Sequence, residues 1–153
     1  MNQLKVWTRV SREGEYKFGG TYVDRSLWTE ILVDDELLLD FEGLWLAVDL
    51  GQLALSLQGD GEFFIITCTC GVAGCAGLTR GVQVIHDGKN AQWVVRQPGP
   101  TRTFVFEGEA YAKAIKQGLA HFEQRCVEHP GMEPVPRQNR YLLGKIGDLA
   151  GRP

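Results

Sequence analysis

The residues best equipped for chemistry are three cysteines within eight positions, Cys68-Thr69-Cys70-Gly71-Val72-Ala73-Gly74-Cys75. Side chains alternate along a strand, so Cys68 and Cys70 are expected on one face, and the glycine-containing turn that follows can return Cys75 toward them. Three thiols could then converge on a thiophilic ion. Zinc takes about four ligands of the Cys, His or carboxylate type, so a fourth donor would come from His86, Cys126 or elsewhere. Against zinc, Cys-X-Cys followed by four residues and Cys is not the usual paired Cys-X-X-Cys spacing, and no second pair exists. Free cysteine behaves as a small buried hydrophobe, so the first expectation is three packing residues and no metal. The alternative is a zinc centre on Cys68, Cys70, Cys75 and His86. A disulfide is poorly served by residues two apart on a strand and by a reducing compartment.

Other chemistries lack their residues. A nucleotide deaminase needs His-X-Glu and Pro-Cys-X-X-Cys, whereas His86 is followed by Asp87-Gly88. Gly71, Gly74 and Gly77 are not followed by Gly-Lys-Ser/Thr or a helix, as a phosphate-cradling loop requires. A cysteine nucleophile needs a histidine beside it. His86, His121 and His129 are the candidates, and a Cys/His enzyme stays open because sequence does not report proximity. Asp34 and Asp35 are adjacent in a turn and point different ways, unlike a glycosidase carboxylate pair.

The elements that must position these residues follow from periodicity. Leu4, Val6, Thr8 and Val10 alternate with Lys5, Trp7 and Arg9, giving a first strand. Glu13 to Gly20 is turn-rich. Ser26–Val33 and Leu37–Phe41 flank Asp34-Asp35-Glu36 and suggest a hairpin. Asp49 with Gln52 has the pattern of a capping box, and Leu50, Leu53, Ala54 and Leu57 continue a short amphipathic helix toward Gly59. Phe63–Cys70 is aromatic and β-branched, as a central buried strand would be. Gly81–His86 and Ala91–Arg96 are joined by Asp87-Gly88-Lys89-Asn90, a hairpin signal, and Thr101–Phe106 completes a meander. Between Glu109 and Glu128, Tyr111, Ile115, Leu119, Phe122 and Cys126 recur at helical spacing.

Strands in succession and then a long helix predict an α+β domain: an antiparallel meander with the long C-terminal helix and a short helix packed on it. Phe64, Ile66, Val82, Val84, Trp93, Val95, Phe104 and Phe106 are the expected buried side. With 153 residues the chain suits one domain, 1–153, with a Pro-rich C-terminal extension from about residue 130 and a weakly helical Arg140–Leu149.

The composition, 44% hydrophobic and 23% charged, is that of a globular chain. Its longest uncharged stretch, Phe63–Thr79, is broken by glycines and falls short of the roughly 20 apolar residues of a spanning helix. Charges in the N-terminal segment argue against a secretory signal, so the expected compartment is the cytoplasm. The net charge of -3 conceals an asymmetry: from Asp24 to Glu62, ten acids stand against Arg25 alone. That pattern disfavours direct binding of nucleic acid and favours a cationic protein partner.

The run Phe63–Gly77, with Gly81-Val82-Gln83-Val84, Trp93 and Phe104–Tyr111 beyond it, resembles a family of uncharacterised bacterial proteins. Its members share a Thr-Cys-X-Cys-Gly-X-X-Gly-Cys-X-Gly core, and some resemble immunity or antitoxin proteins of bacterial competition systems. The likeness covers about residues 60–115 and implies a binding role with no assigned catalytic residues. The expected function is a non-enzymatic immunity protein that covers the active site of a basic toxin domain, docking through Asp34, Asp35, Glu36, Asp40 and Glu42. No cofactor is expected, with zinc as the alternative, and no membrane partner.

Overall fold

A computed structural model describes residues 1–11, 17–18, 21–22, 25–39 and 46–149. The strands are β1 (Leu4–Val10), β2 (Lys17–Phe18), β3 (Thr21–Tyr22), β4 (Ser26–Val33), β5 (Glu36–Leu37), β6 (Leu46–Val48), β7 (Gly61–Phe63), β8 (Ile66–Cys68), β9 (Val82–His86), β10 (Asn90–Val95), β11 (Arg102–Glu107) and β12 (Glu133–Val135). The helices are α1 (Leu50–Leu55), α2 (Gly108–Glu128) and α3 (Ile146–Leu149), with a 3-10 helix at Arg137–Leu142. The architecture is α+β, as the pattern predicts.

The expected meander forms one sheet, ordered β11-β10-β9-β7 and antiparallel throughout. On β10 the two-residue period buries Ala91, Trp93 and Val95. Trp93 stands opposite Val84 on one side and Phe104 on the other. The β9–β10 turn is held by Asp87, whose carboxylate accepts the Asn90 and Lys89 amides at 2.8 and 3.2 Å. Ile66, Val82, Val84, Trp93, Val95 and Phe106 are buried as expected. Phe64 and Phe104 are only half-buried, because Phe64 lies at a break in the chain's strand path and Phe104 packs at the margin of the core.

A second sheet has β4 at its centre, between antiparallel β1 and parallel β12. The hairpin from β4 to β5 turns through Asp34 and Asp35, both at positive φ (53° and 66°), the mirror-image turn that suits a twisted hairpin. Asn2 bridges Phe106 and joins the edges of the two sheets. Across them lies α2, burying Tyr111, Ile115, Gly118, Leu119 and Phe122. Close approach is possible at Gly118, where a Cβ would fall 2.5 Å from Val6.

Two expectations are corrected. Phe63–Cys70 is not one strand: β7 pairs with β9, while β8 pairs with β6 in a separate two-stranded ladder. The path breaks where Gln52 Oε1 accepts the Phe64 amide (3.0 Å) and Ile65 O accepts the Asp49 amide (2.8 Å). Gln52 thus serves the break rather than closing a capping box, although Asp49 does cap α1 through the Gln52 amide at 3.1 Å. The Pro-rich segment packs against the rest of the fold. Its β12 adds a strand to β4, and buried Asn139 accepts the Leu50 amide and donates to Val48 O, both at 3.0 Å. Among the described residues no helix is long and apolar enough to cross a membrane.

Candidate metal centre

Just beyond β8 the chain makes successive tight turns. Cys68 O accepts the Gly71 amide (2.8 Å), Val72 O the Cys75 amide (3.2 Å), and Cys75 O the Leu78 amide (3.1 Å). Gly71 holds φ at 84°, a conformation in which a side chain is strained. The sulfurs of Cys68, Cys70 and Cys75 consequently lie within 4.8 Å of one another. Strand alternation is not what brings Cys70 beside Cys68, because β8 ends at Cys68 and Cys70 lies in the turn that follows; Cys75 returns through the glycine-containing turns, as expected.

The knuckle is fixed from behind. Leu78 is buried, and Gln97 Oε1 accepts the Thr79 and Arg80 amides at 2.8 and 3.0 Å. From the 3-10 helix, Gln138 Nε2 donates to Gly71 O (2.7 Å) and to Asp49 Oδ2 (2.9 Å). Thr67 Oγ1 donates to Val72 O at 3.3 Å. The buried Thr69 hydroxyl has no well-directed partner; it lies beside the Cys68 sulfur and favours its thiolate.

Burial works against a Cys68 thiolate, but the Cys70 amide and the Cys70, Cys75 and Thr69 side chains outweigh it, so the Cys68 pKa falls below the ordinary thiol value. Cys75 moves the other way, chiefly through its hydrogen bonds with Cys68 and Cys70. Metal binding would deprotonate all three, so any affinity here rises with pH. Soft thiolates select zinc, copper(I) or iron–sulfur species, so the cluster could bind a metal.

Packing explains only part of the trio: Cys68 is buried, Cys75 is half-buried and Cys70 is exposed. His86 is not brought to it. Its ring contacts Ser56 O at 2.8 Å and packs edge-on against Tyr111, at a centroid distance of 6.1 Å. Cys126 lies on α2, its thiol pKa raised by burial. Among the described residues no histidine is grouped with the three thiols.

The acidic segment is largely consumed internally. Asp34 accepts from Asn2 Nδ2 and the Gln3 amide, both at 2.7 Å, and these bonds hold its carboxyl below its ordinary pKa. Buried Glu30 pairs with Arg9 at 3.2 Å. Asp49 caps α1, Asp60 accepts the His86 amide (2.7 Å), and Glu62 accepts the Gly81 amide (2.6 Å). Asp34, Asp35 and Glu36 are all exposed. Asp40 and Glu42 lie outside the described residues. Gln138, Gln97 and Asp49, which brace the knuckle, carry no ligand signature; Asp49 reads from sequence only as a helix cap.

Compared with known protein families, with curated proteins and with solved structures, the chain matches none.

Proposed function

We propose that this protein is a non-catalytic, protein-binding domain that holds zinc through Cys68, Cys70 and Cys75. The observation that carries the metal assignment is the convergence of three sulfurs within 4.8 Å on a braced knuckle. Among the described residues no histidine or carboxylate is grouped with the three thiols to act as a general acid or base. A binding or structural role therefore fits the donor set better than hydrolysis. The test is metal content of the purified chain with native thiol labelling. About one zinc per chain is expected, lost in Cys70→Ser and Cys75→Ser, with Cys70 protected from labelling until a chelator is added and Tm falling on chelation. Negligible metal in protein purified under reducing, zinc-replete conditions would overturn it.

Exposed Asp35 and Glu36 at the tip of the β4–β5 hairpin favour a second reading, the immunity protein of a basic toxin domain. The motif resemblance supports it. Its test is co-purification with the product of a neighbouring gene, followed by Asp35→Lys and Glu36→Lys. These are expected to slow association and weaken its salt dependence. Unchanged kinetics would move the interface elsewhere, and Asp34 is unsuited to the test because it ties β4 to the chain ahead of β1.

A further inference from the structure

We infer that the Cys68/Cys70/Cys75 centre is completed from outside the chain, by the imidazole of a histidine on a partner protein. The inference rests on the metal reading above and gives it a partner. A zinc ion on three sulfurs has one tetrahedral position left. Among the described residues no fourth donor is grouped with the cluster: of the two nominated by sequence, His86 contacts Ser56 O and Tyr111, and Cys126 lies on α2.

The knuckle also has a direction. Its inner side is closed by Cys68, Thr69 and Leu78, all buried, and is braced by Gln138. Its outer side carries exposed Cys70 and Val72, the latter 60% exposed. An ion seated on the three sulfurs therefore presents its fourth position to solvent, beside an apolar side chain that a docking protein can cover. Charge selects the donor. Three thiolates and a divalent cation sum to a single negative charge; a fourth thiolate would double it in a partly desolvated site, whereas a neutral imidazole adds none. The neutral Cys70 amide at the Cys68 sulfur softens the existing charge without cancelling it.

The whole chain, reduced and loaded anaerobically with cobalt(II), tests the inference by visible and near-ultraviolet absorption. Thiolate-to-cobalt charge-transfer bands are expected, with visible d–d bands that shift saturably as one imidazole binds per cobalt. A small thiol, titrated in parallel, is expected to compete poorly. Cobalt that produces no thiolate charge-transfer band would defeat the metal reading itself. Charge-transfer bands with d–d bands indifferent to imidazole would leave the metal reading intact and overturn the open position. A centre that takes the thiol in preference would overturn the imidazole assignment. The variant His86→Gln is expected to give the same starting spectrum and the same titration; an altered starting spectrum, or an imidazole response that appears only in the variant, would show that His86 closes the site and overturn the inference.

Discussion

Gln138 and Gly71 are hydrogen-bonded at 2.7 Å across 67 positions of sequence, so the last part of the chain holds the cysteine knuckle in place. The same Nε2 donates to Asp49, tying knuckle, α1 cap and 3-10 helix to one side chain. Groups that orient ligands without touching the metal typically contribute 10–100-fold to affinity. Gln138→Ala is expected to weaken zinc binding by about that factor, measured by competition with a chromophoric chelator. Lost stability with unchanged affinity would confine Gln138 to the fold. Gly71→Ala should be worse, because the new Cβ would fall 1.6 Å from Gln138 Oε1.

A second prediction concerns the buried polar chain under the meander. Trp93 Nε1 donates to Tyr111 OH (3.0 Å), and Ser56 Oγ donates to Leu53 O (2.5 Å), so the Tyr111 hydroxyl donates to Ser56 Oγ (2.5 Å). Burial raises the Tyr111 pKa and keeps the phenol neutral. Tyr111→Phe leaves a buried indole N–H without its acceptor, at a cost of about 1–3 kcal/mol in urea denaturation. A neutral result would require the indole to find another partner.

The parts of this fold legible in sequence are those set by local rules. The α2 stripe, the alternation of β10 and the Asp87-Gly88 turn each follow from periodicity or turn chemistry. The break at Phe64–Ile65 is not local: it depends on Gln52 reaching the Phe64 amide, while composition makes the run look continuous. Parallel pairing of β12 with β4 joins segments more than a hundred residues apart, and a Pro-rich segment gives no strand signal. At the site, the spacing marked three thiols that could converge, but their exposure and the Gln138 brace depend on tertiary contacts. Within the acidic segment, the exposure of each carboxylate was not legible for the same reason. Charge along the chain does not distinguish a solvated Glu36 from a Glu30 buried against Arg9.

Gly118 is where α2 rests on β1. A methyl there meets Val6 Cβ and Cγ1, both at 2.5 Å, on a buried residue that cannot swing away. Gly118→Ala is expected to cost about 1–3 kcal/mol as overpacking, despite the better helix propensity of alanine. Adding Val6→Ala should return part of that loss, a coupling readable in a double-mutant cycle. Additive losses would mean that the helix shifts as a body instead.

The pH dependence of stability should carry the signature of His121. Its Nδ1 accepts the Thr8 amide of β1 at 2.9 Å, a bond that an imidazolium, protonated at both nitrogens, cannot accept. Burial, joined by Arg125 and Lys5 and opposed by Glu128, lowers its pKa below 6.5. The unfolded chain, titrating near about 6.5, thus binds more protons than the native state between the lowered pKa and that value. Stability from this contact is complete above the unfolded pKa and disappears as pH falls through the folded one. His121→Gln, which keeps an acceptor but does not titrate, should flatten the slope of Tm against pH within that window. The Thr8 amide should exchange faster with solvent in wild type at the acid end, after correction for intrinsic exchange, and much less so in the variant. An unchanged slope in His121→Gln would assign the acid sensitivity to carboxylates such as Asp34, whose lowered pKa places its own loss of stability at more acidic pH.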